Sequence, residues 1–141
     1  MNMADVIEPV AGGSARQPRA VAMLVCERVI RDTRSDRASL IELFDEVSAP
    51  SFPIMLAPVS VYARLTDAAG FYTLTLDVVR RDDLAQVVTL RLGSLEAIDP
   101  LGDGEIVVHE VQLQLPSVGS YDVRLWMNGR FVHSVSLRAL G

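Results

Sequence analysis

The stretch GSYDVRLWMNGRFVHSVSL, residues 119–137, reads as two strands joined by a two-residue loop. Tyr121, Val123, Leu125 and Met127 alternate with Asp122, Arg124, Trp126 and Asn128. Successive side chains of a strand point to opposite faces, so the first set makes a buried face and the second an outer one. Asn128-Gly129 suits a type I′ turn, in which both central residues take positive φ. Past the turn, Phe131, His133 and Val135 share the next apolar face. One dry and one wet face per strand predicts antiparallel sheets packed on each other. Trp126 is the anomaly, a large aromatic residue on the polar side, beside Arg124.

The same punctuation runs through the chain. Strand-like runs occupy Val21–Arg31, Leu40–Val47, Val59–Thr66, Phe71–Arg80, Gln86–Leu92, Glu105–Leu115, Tyr121–Met127 and Arg130–Leu137. Turn-rich pieces separate them, and DAAG (67–70) is read as a hairpin loop like Asn128-Gly129. Val59, Val61, Ala63 and Leu65 share one face against Ser60, Tyr62, Arg64 and Thr66. Tyr72, Leu74, Leu76 and Val78 oppose Thr73, Thr75 and Asp77. Val107, His109, Val111, Leu113 and Leu115 oppose Val108, Glu110, Gln112 and Gln114. No apolar 3.6-residue period is sustained, so helix is confined to a short turn within SAPSFPIML. The expected fold is all-β, a single antiparallel β-sandwich of about seven to eight strands, immunoglobulin-like, with little helix. Residues 1–19 read as a flexible N-terminal segment and residues 20–141 as the sandwich domain.

Composition bounds the function. A chain of 141 residues, half of them hydrophobic and 22% charged, has the size and apolar content of one folded domain. The apolar run AVAMLVC stops at Glu27, far short of the roughly 18 residues of a membrane helix, so no membrane partner is expected. MNMADVIEP carries acids where a secretory signal carries positive charge, which places the protein in the cytoplasm. The lone Cys26 has no disulfide partner within the chain. Net charge is −5, and the thirteen basic residues are all Arg, a bias read as that of a GC-rich bacterial genome. Without a basic stripe the chain is a poor nucleic-acid binder.

Few residues offer chemistry. Cys26 shares its parity with Leu24 and Ile30 and reads as a small core residue, and a buried thiol is unreactive. His109 and His133 fall on the apolar parity of their strands and would meet if those strands were neighbours in one sheet or faced each other across the core, which makes them an alternative small-molecule or metal pocket. Neither stands at a recognisable ligand interval from another donor. Asp99, Asp103 and Glu105 in DPLGDGE suggest calcium but lack the alternating oxygens and distant bidentate Glu of an EF-hand loop. Arg28, Arg31, Arg34 and Arg37 are interrupted by Asp32 and Asp36, and RRDD (80–83) neutralises itself, so both read as solvated turns. Phosphate loops, GxSxG and CxxC are missing from the sequence, so no catalytic residue, metal site or cofactor is assigned.

Several stretches together resemble a family of small, uncharacterised bacterial β-sandwich proteins. They are MLVCERVIRDTRSDRASLIELFDEV, then Phe52-Pro53, and the closing PSVGSYDVRLWMNGRFVHSVSL. Phe44, Asp45, Phe52 and Pro53 match the family's second strand and its exit, and Gly119, Tyr121 and Gly129 match its C-terminal hairpin. The family pattern has Gly in the first turn, where this chain has RDTRSDR. The resemblance implies a fold and no activity. The function expected from the residues is a non-catalytic interaction or self-assembly module, binding a protein partner or its own copy. Its interaction face is assigned to Trp126, Arg124, Tyr62 and Arg64, because Trp, Tyr and Arg are enriched at interface centres.

Overall fold

The computed structural model describes residues 16–97 and 104–141. Among these residues there are nine strands and no helix: β1 (Arg19–Arg31), β2 (Ala38–Leu43), β3 (Glu46–Ser48), β4 (Ile54–Thr66), β5 (Gly70–Arg80), β6 (Gln86–Ala97), β7 (Gly104–Leu115), β8 (Gly119–Met127) and β9 (Arg130–Leu140). They form a four-stranded sheet of order β2-β1-β4-β7 and a five-stranded sheet of order β3-β9-β8-β5-β6. All pairings are antiparallel except β3 with β9. A sandwich in which sequence-distant strands β4 and β7 pair, and β5, β8 and β9 pair opposite them, is the immunoglobulin-like arrangement.

The interior is built by the alternation expected of it. Leu65, Leu115, Tyr121, Leu125, Met127 and Leu137 are buried between the sheets, with Val59, Val61 and Ala63 from β4 and Tyr72, Leu74, Leu76 and Val78 from β5. The 128–129 hairpin turns through φ of 53° and 73°, the left-handed pair of a type I′ loop. Tyr121 lies at the start of β8, and its hydroxyl donates to Ser117 O at 2.6 Å while accepting from Ser117 N at 3.2 Å. This tyrosine corner, placed as in immunoglobulin-like domains, closes the turn that leads from one sheet to the other.

Several sequence expectations change. The run Leu40–Val47 is two strands, not one. It leaves the first sheet at Phe44, whose N–H bonds Val25 O at 3.1 Å, and joins the second at β3 beside β9. A strand whose sides face different partners must switch sheets, which raises the strand number to nine. DAAG carries the chain from β4 in one sheet to β5 in the other, so it is a crossover and not a hairpin. The expected helical turn within SAPSFPIML does not form: residues 50–53 only bend, and β4 begins at Ile54, where Ile54, Met55 and Leu56 pair with Leu115, Gln114 and Leu113. Pro58 has no N–H for the ladder, and the register shifts between Leu56 and Val59. At the other end, Arg16 N bonds Ala69 O and Arg16 O accepts from Tyr72, so residues 16–19 are tied to the sandwich. Residues 1–15 of the expected flexible segment lie outside the described residues.

Two β-bulges account for the remaining differences. Opposite Ser60, β7 has two residues, His109 and Glu110, and Glu110 takes φ of 47°. Each extra residue reverses the inward parity. Ile106 and Val108 therefore face inward before the bulge, and Val111, Leu113 and Leu115 after it. In β9 the register shifts beside Trp126, and Val132 and Val135 pack on the core in place of Phe131 and His133. Both histidines are exposed.

Replacing Tyr121 by Phe keeps the ring but strands Ser117's carbonyl and N–H. We expect a loss of about 1–3 kcal/mol, the cost of unsatisfied buried polar groups, measured as a lowered urea midpoint with an unchanged slope.

Candidate functional site

The outer face of the five-stranded sheet carries a connected cluster. Register places Asp77 of β5 opposite Arg124 of β8, Thr75 opposite Trp126, and Trp126 opposite Phe131 of β9. Arg124 clasps Asp77 through two parallel bonds, Nε to Oδ1 at 2.8 Å and a terminal nitrogen to Oδ2 at 2.7 Å. Trp126 Nε1 donates to Oδ1 at 3.3 Å and Gln86 Nε2 to Oδ2 at 3.3 Å. The guanidinium carbon of Arg124 stands 5.0 Å from the Trp126 ring centre, and Phe131 meets that ring edge-on at 5.6 Å and 73°.

Electrostatics follow from this geometry. Asp77 is only 4% exposed. Burial pushes its carboxyl up, but bonds from Arg124 and Trp126 and the Arg124 charge outweigh it and leave the group below the ordinary value of 3.8. The same bond holds Arg124 above its ordinary value, against its own desolvation. Trp126 is thus half-buried, with its N–H satisfied, while Phe131 remains 49% exposed and Phe71, further along the same face, 70% exposed. A bidentate Arg–carboxylate pair fixes the plane of the guanidinium, so cation and aromatic ring are presented in one orientation.

The expected interaction residues do not form one surface. Arg124 and Trp126 belong to this cluster, whereas Tyr62 and Arg64 lie on β4, on the outer side of the opposite sheet. Tyr62 is buried there. Its hydroxyl bonds Glu105, and Arg64 reaches the same carboxylate at 3.2 Å. Covering comes from β1 and β2, which bend over that face. Asp77 and Phe131 were missed from sequence. Asp77 had the parity of a solvated strand acid, and only the pairing of β5 with β8 gives it a cation. Phe131 was read inward because its strand's bulge leaves no mark in the alternation.

His109 stands on β7 of one sheet and His133 on β9 of the other, and both are exposed and absent from the core between the sheets, so they form no common pocket. Neither lines the open groove of about 730 Å³ bordered by Pro53, Met55, Arg80, Gln86, Val88 and Gln114, nor the one of about 470 Å³ between Met23, Phe44 and Val135. Among the described residues no group of three or more His, Cys, Asp or Glu is arranged around a metal position. Asp99 and Asp103 lie outside the described residues, and Glu105 is engaged by Tyr62, Arg31 and Arg64. Cys26 is fully buried, as expected, but on the outer side of its sheet, and burial pushes its thiol up. Arg80 pairs with Asp83 at 2.8 Å and draws that carboxyl down to about 2, while Arg81 reaches out of the turn to Asp122 at 2.6 Å. No helix among the described residues is long and apolar enough to cross a membrane.

Fold and surface together define an immunoglobulin-like β-sandwich with an ordered aromatic and cationic cluster on one sheet. The family model of DUF6941, a family of unknown function, matches residues 21–140, and the chain belongs to that family. No curated protein matches the sequence.

Removing the Asp77 carboxylate leaves Arg124 without its partner. Asp77→Ala should cost toward the lower end of about 3–5 kcal/mol, because Arg124 keeps part of its side chain in water. Since the folded value is depressed, the pair stabilises fully above the ordinary carboxylate range, and that contribution is lost as pH falls through the folded value. The unfolding midpoints of wild type and Asp77→Asn should therefore converge as pH is lowered below that range, which urea titrations at stepped pH would measure.

Proposed function

We propose that this protein is a non-catalytic interaction module that binds a protein partner or a second copy of itself through the outer face of its five-stranded sheet. The observation that supports the reading is the cluster of Arg124, Trp126 and Phe131, held in position by buried Asp77. Arg and Trp carry much of the binding energy at protein interfaces. A cluster already ordered before binding loses less side-chain freedom on association. Phe131 and Phe71 supply exposed apolar area on the same face, and Thr73 and Thr75 supply hydrogen-bonding groups between them.

A catalytic reading draws no support from the residues best suited to chemistry, since the thiol is buried and the two histidines are exposed on opposite sheets. The pocket reading around His109 and His133 likewise lacks the shared cavity it needs.

Affinity capture from the native source, with any captured protein then rebound in purified form, tests the proposal. Sedimentation velocity of the isolated protein covers the case of a second copy. Trp126→Ala and Phe131→Ser should each weaken the association by at least about tenfold, the loss expected when an interface anchor is truncated. Leu24→Ser, on the opposite sheet, should leave it unchanged. Equal binding by all four proteins would refute the assignment of this face.

A further inference from the structure

The part of β1 beyond Cys26 is not held by the sandwich in the way the first part is. Pairing of β1 with β4 runs from Arg19 to Cys26 and stops, while Cys26 to Arg31 pairs with β2. Opposed pairs Val29–Leu40 and Arg31–Ala38 define one side of this two-stranded arm. That side lies against the outer face of the four-stranded sheet, where Val29, Ala38 and Leu40 pack with Cys26, Tyr62 and Val107. Because Val107 belongs to β7, the arm spans β4 completely. At its far end Arg31 reaches Glu105 of β7 at 3.0 Å. The other Glu105 oxygen takes the Tyr62 hydroxyl and Arg64.

At its root Ser60 Oγ donates to Glu27 O at 3.0 Å, and little else fastens the arm. Its tip, residues 32–37, is exposed, and Ile30 on its outward side is half exposed. The turn is satisfied internally: Asp32 Oδ1 accepts from Arg34 N and Ser35 N, and Asp36 takes a left-handed φ of 58°. A two-stranded hairpin is marginal by itself, so this one depends on its seat. Elements with few buried contacts open locally at a lower free energy than the whole fold.

We propose that the β1–β2 arm is a strap that lifts from the sandwich as a unit, fastened by the Arg31–Glu105 clasp, and that lifting exposes Cys26 and Tyr62 while both sheets stay folded. This concerns the face opposite Trp126 and stands independently of the interaction reading. Glu105 is faced by Tyr62 and Arg64 from β4 and by Arg31 from the arm, and Arg31 also lies 3.9 Å from Asp36 at the tip. The Tyr62 bond, opposed by burial and reinforced by Arg31, holds the Glu105 carboxyl below its ordinary value. The clasp is therefore charged at neutral pH, and its hold is lost as pH falls through that lowered value.

Cys26 is the single thiol of the chain and lies under the strap, so it reports opening directly. Its labelling by dithiobis(nitrobenzoate) would be followed in the native protein at neutral pH, alongside hydrogen exchange of amides 28–43 and of β5 and β8. We expect Cys26 and the arm amides to react together, at rates well above those of β5 and β8. Arg31→Ala should raise the arm rates by about three- to fivefold, the range for loss of a partly exposed ion pair, without changing β5 or β8. Arg31→Lys should restore most of the protection, and Glu105→Gln should act as Arg31→Ala does. Arm and core rates that coincide in wild type, or that rise equally in Arg31→Ala, would overturn the proposal by showing that Cys26 is reached only through global unfolding.

Discussion

Burial of β4 on both faces is the constraint from which the rest of the first sheet follows. Val59, Val61, Ala63 and Leu65 fill the interior, while Ser60 and Tyr62, on the other parity, are covered from outside. A buried hydroxyl must be satisfied, and that of Ser60 donates to Glu27 O at 3.0 Å and accepts from Glu110 N at 2.9 Å. The first bond sits where β1 leaves β4 and becomes the arm. The second sits at the β7 bulge that restores the inward parity of Val111, Leu113 and Leu115. One small side chain thus joins three strands at the point where two of them depart from regular geometry.

The two outer faces solve different problems. On the four-stranded sheet an apolar patch is covered by the chain's own hairpin, and the charges at its margin serve to fasten it. On the five-stranded sheet the aromatic cluster stays partly exposed, with Gln17 donating to Phe131 O at 3.2 Å, and a buried carboxylate orients the cation beside it. An ion pair of this kind contributes less to net stability than its Coulomb attraction suggests, since both charges have left water. Its consequence is geometric: Arg124 cannot turn away from Trp126 without giving up both of its bonds to Asp77.

Alternation along β5 and β8, and Asn128-Gly129 between β8 and β9, made the sandwich legible. These are signals local to a strand or a turn, and a buried face enforces them in every strand that has one. The same reading failed at Phe131, His109 and His133, because a bulge reverses parity without altering composition. It failed at Tyr62 for another reason. A residue on the outer parity of a strand is exposed only if no other part of the chain covers it, and the covering hairpin begins at Cys26, 36 residues earlier in the sequence.

The sequence by itself determined the all-β class, the antiparallel layers and the closing hairpin, since each rests on side-chain period or on the φ that a residue tolerates. Tertiary structure alone decided that Asp77 meets Arg124, that Tyr62 is hidden, that the histidines stand in opposite sheets and that β1 bends across its neighbours. Those outcomes depend on which strands pair and which faces are covered, and pairing is a long-range choice set by packing the whole core at once, which no local run of residues encodes.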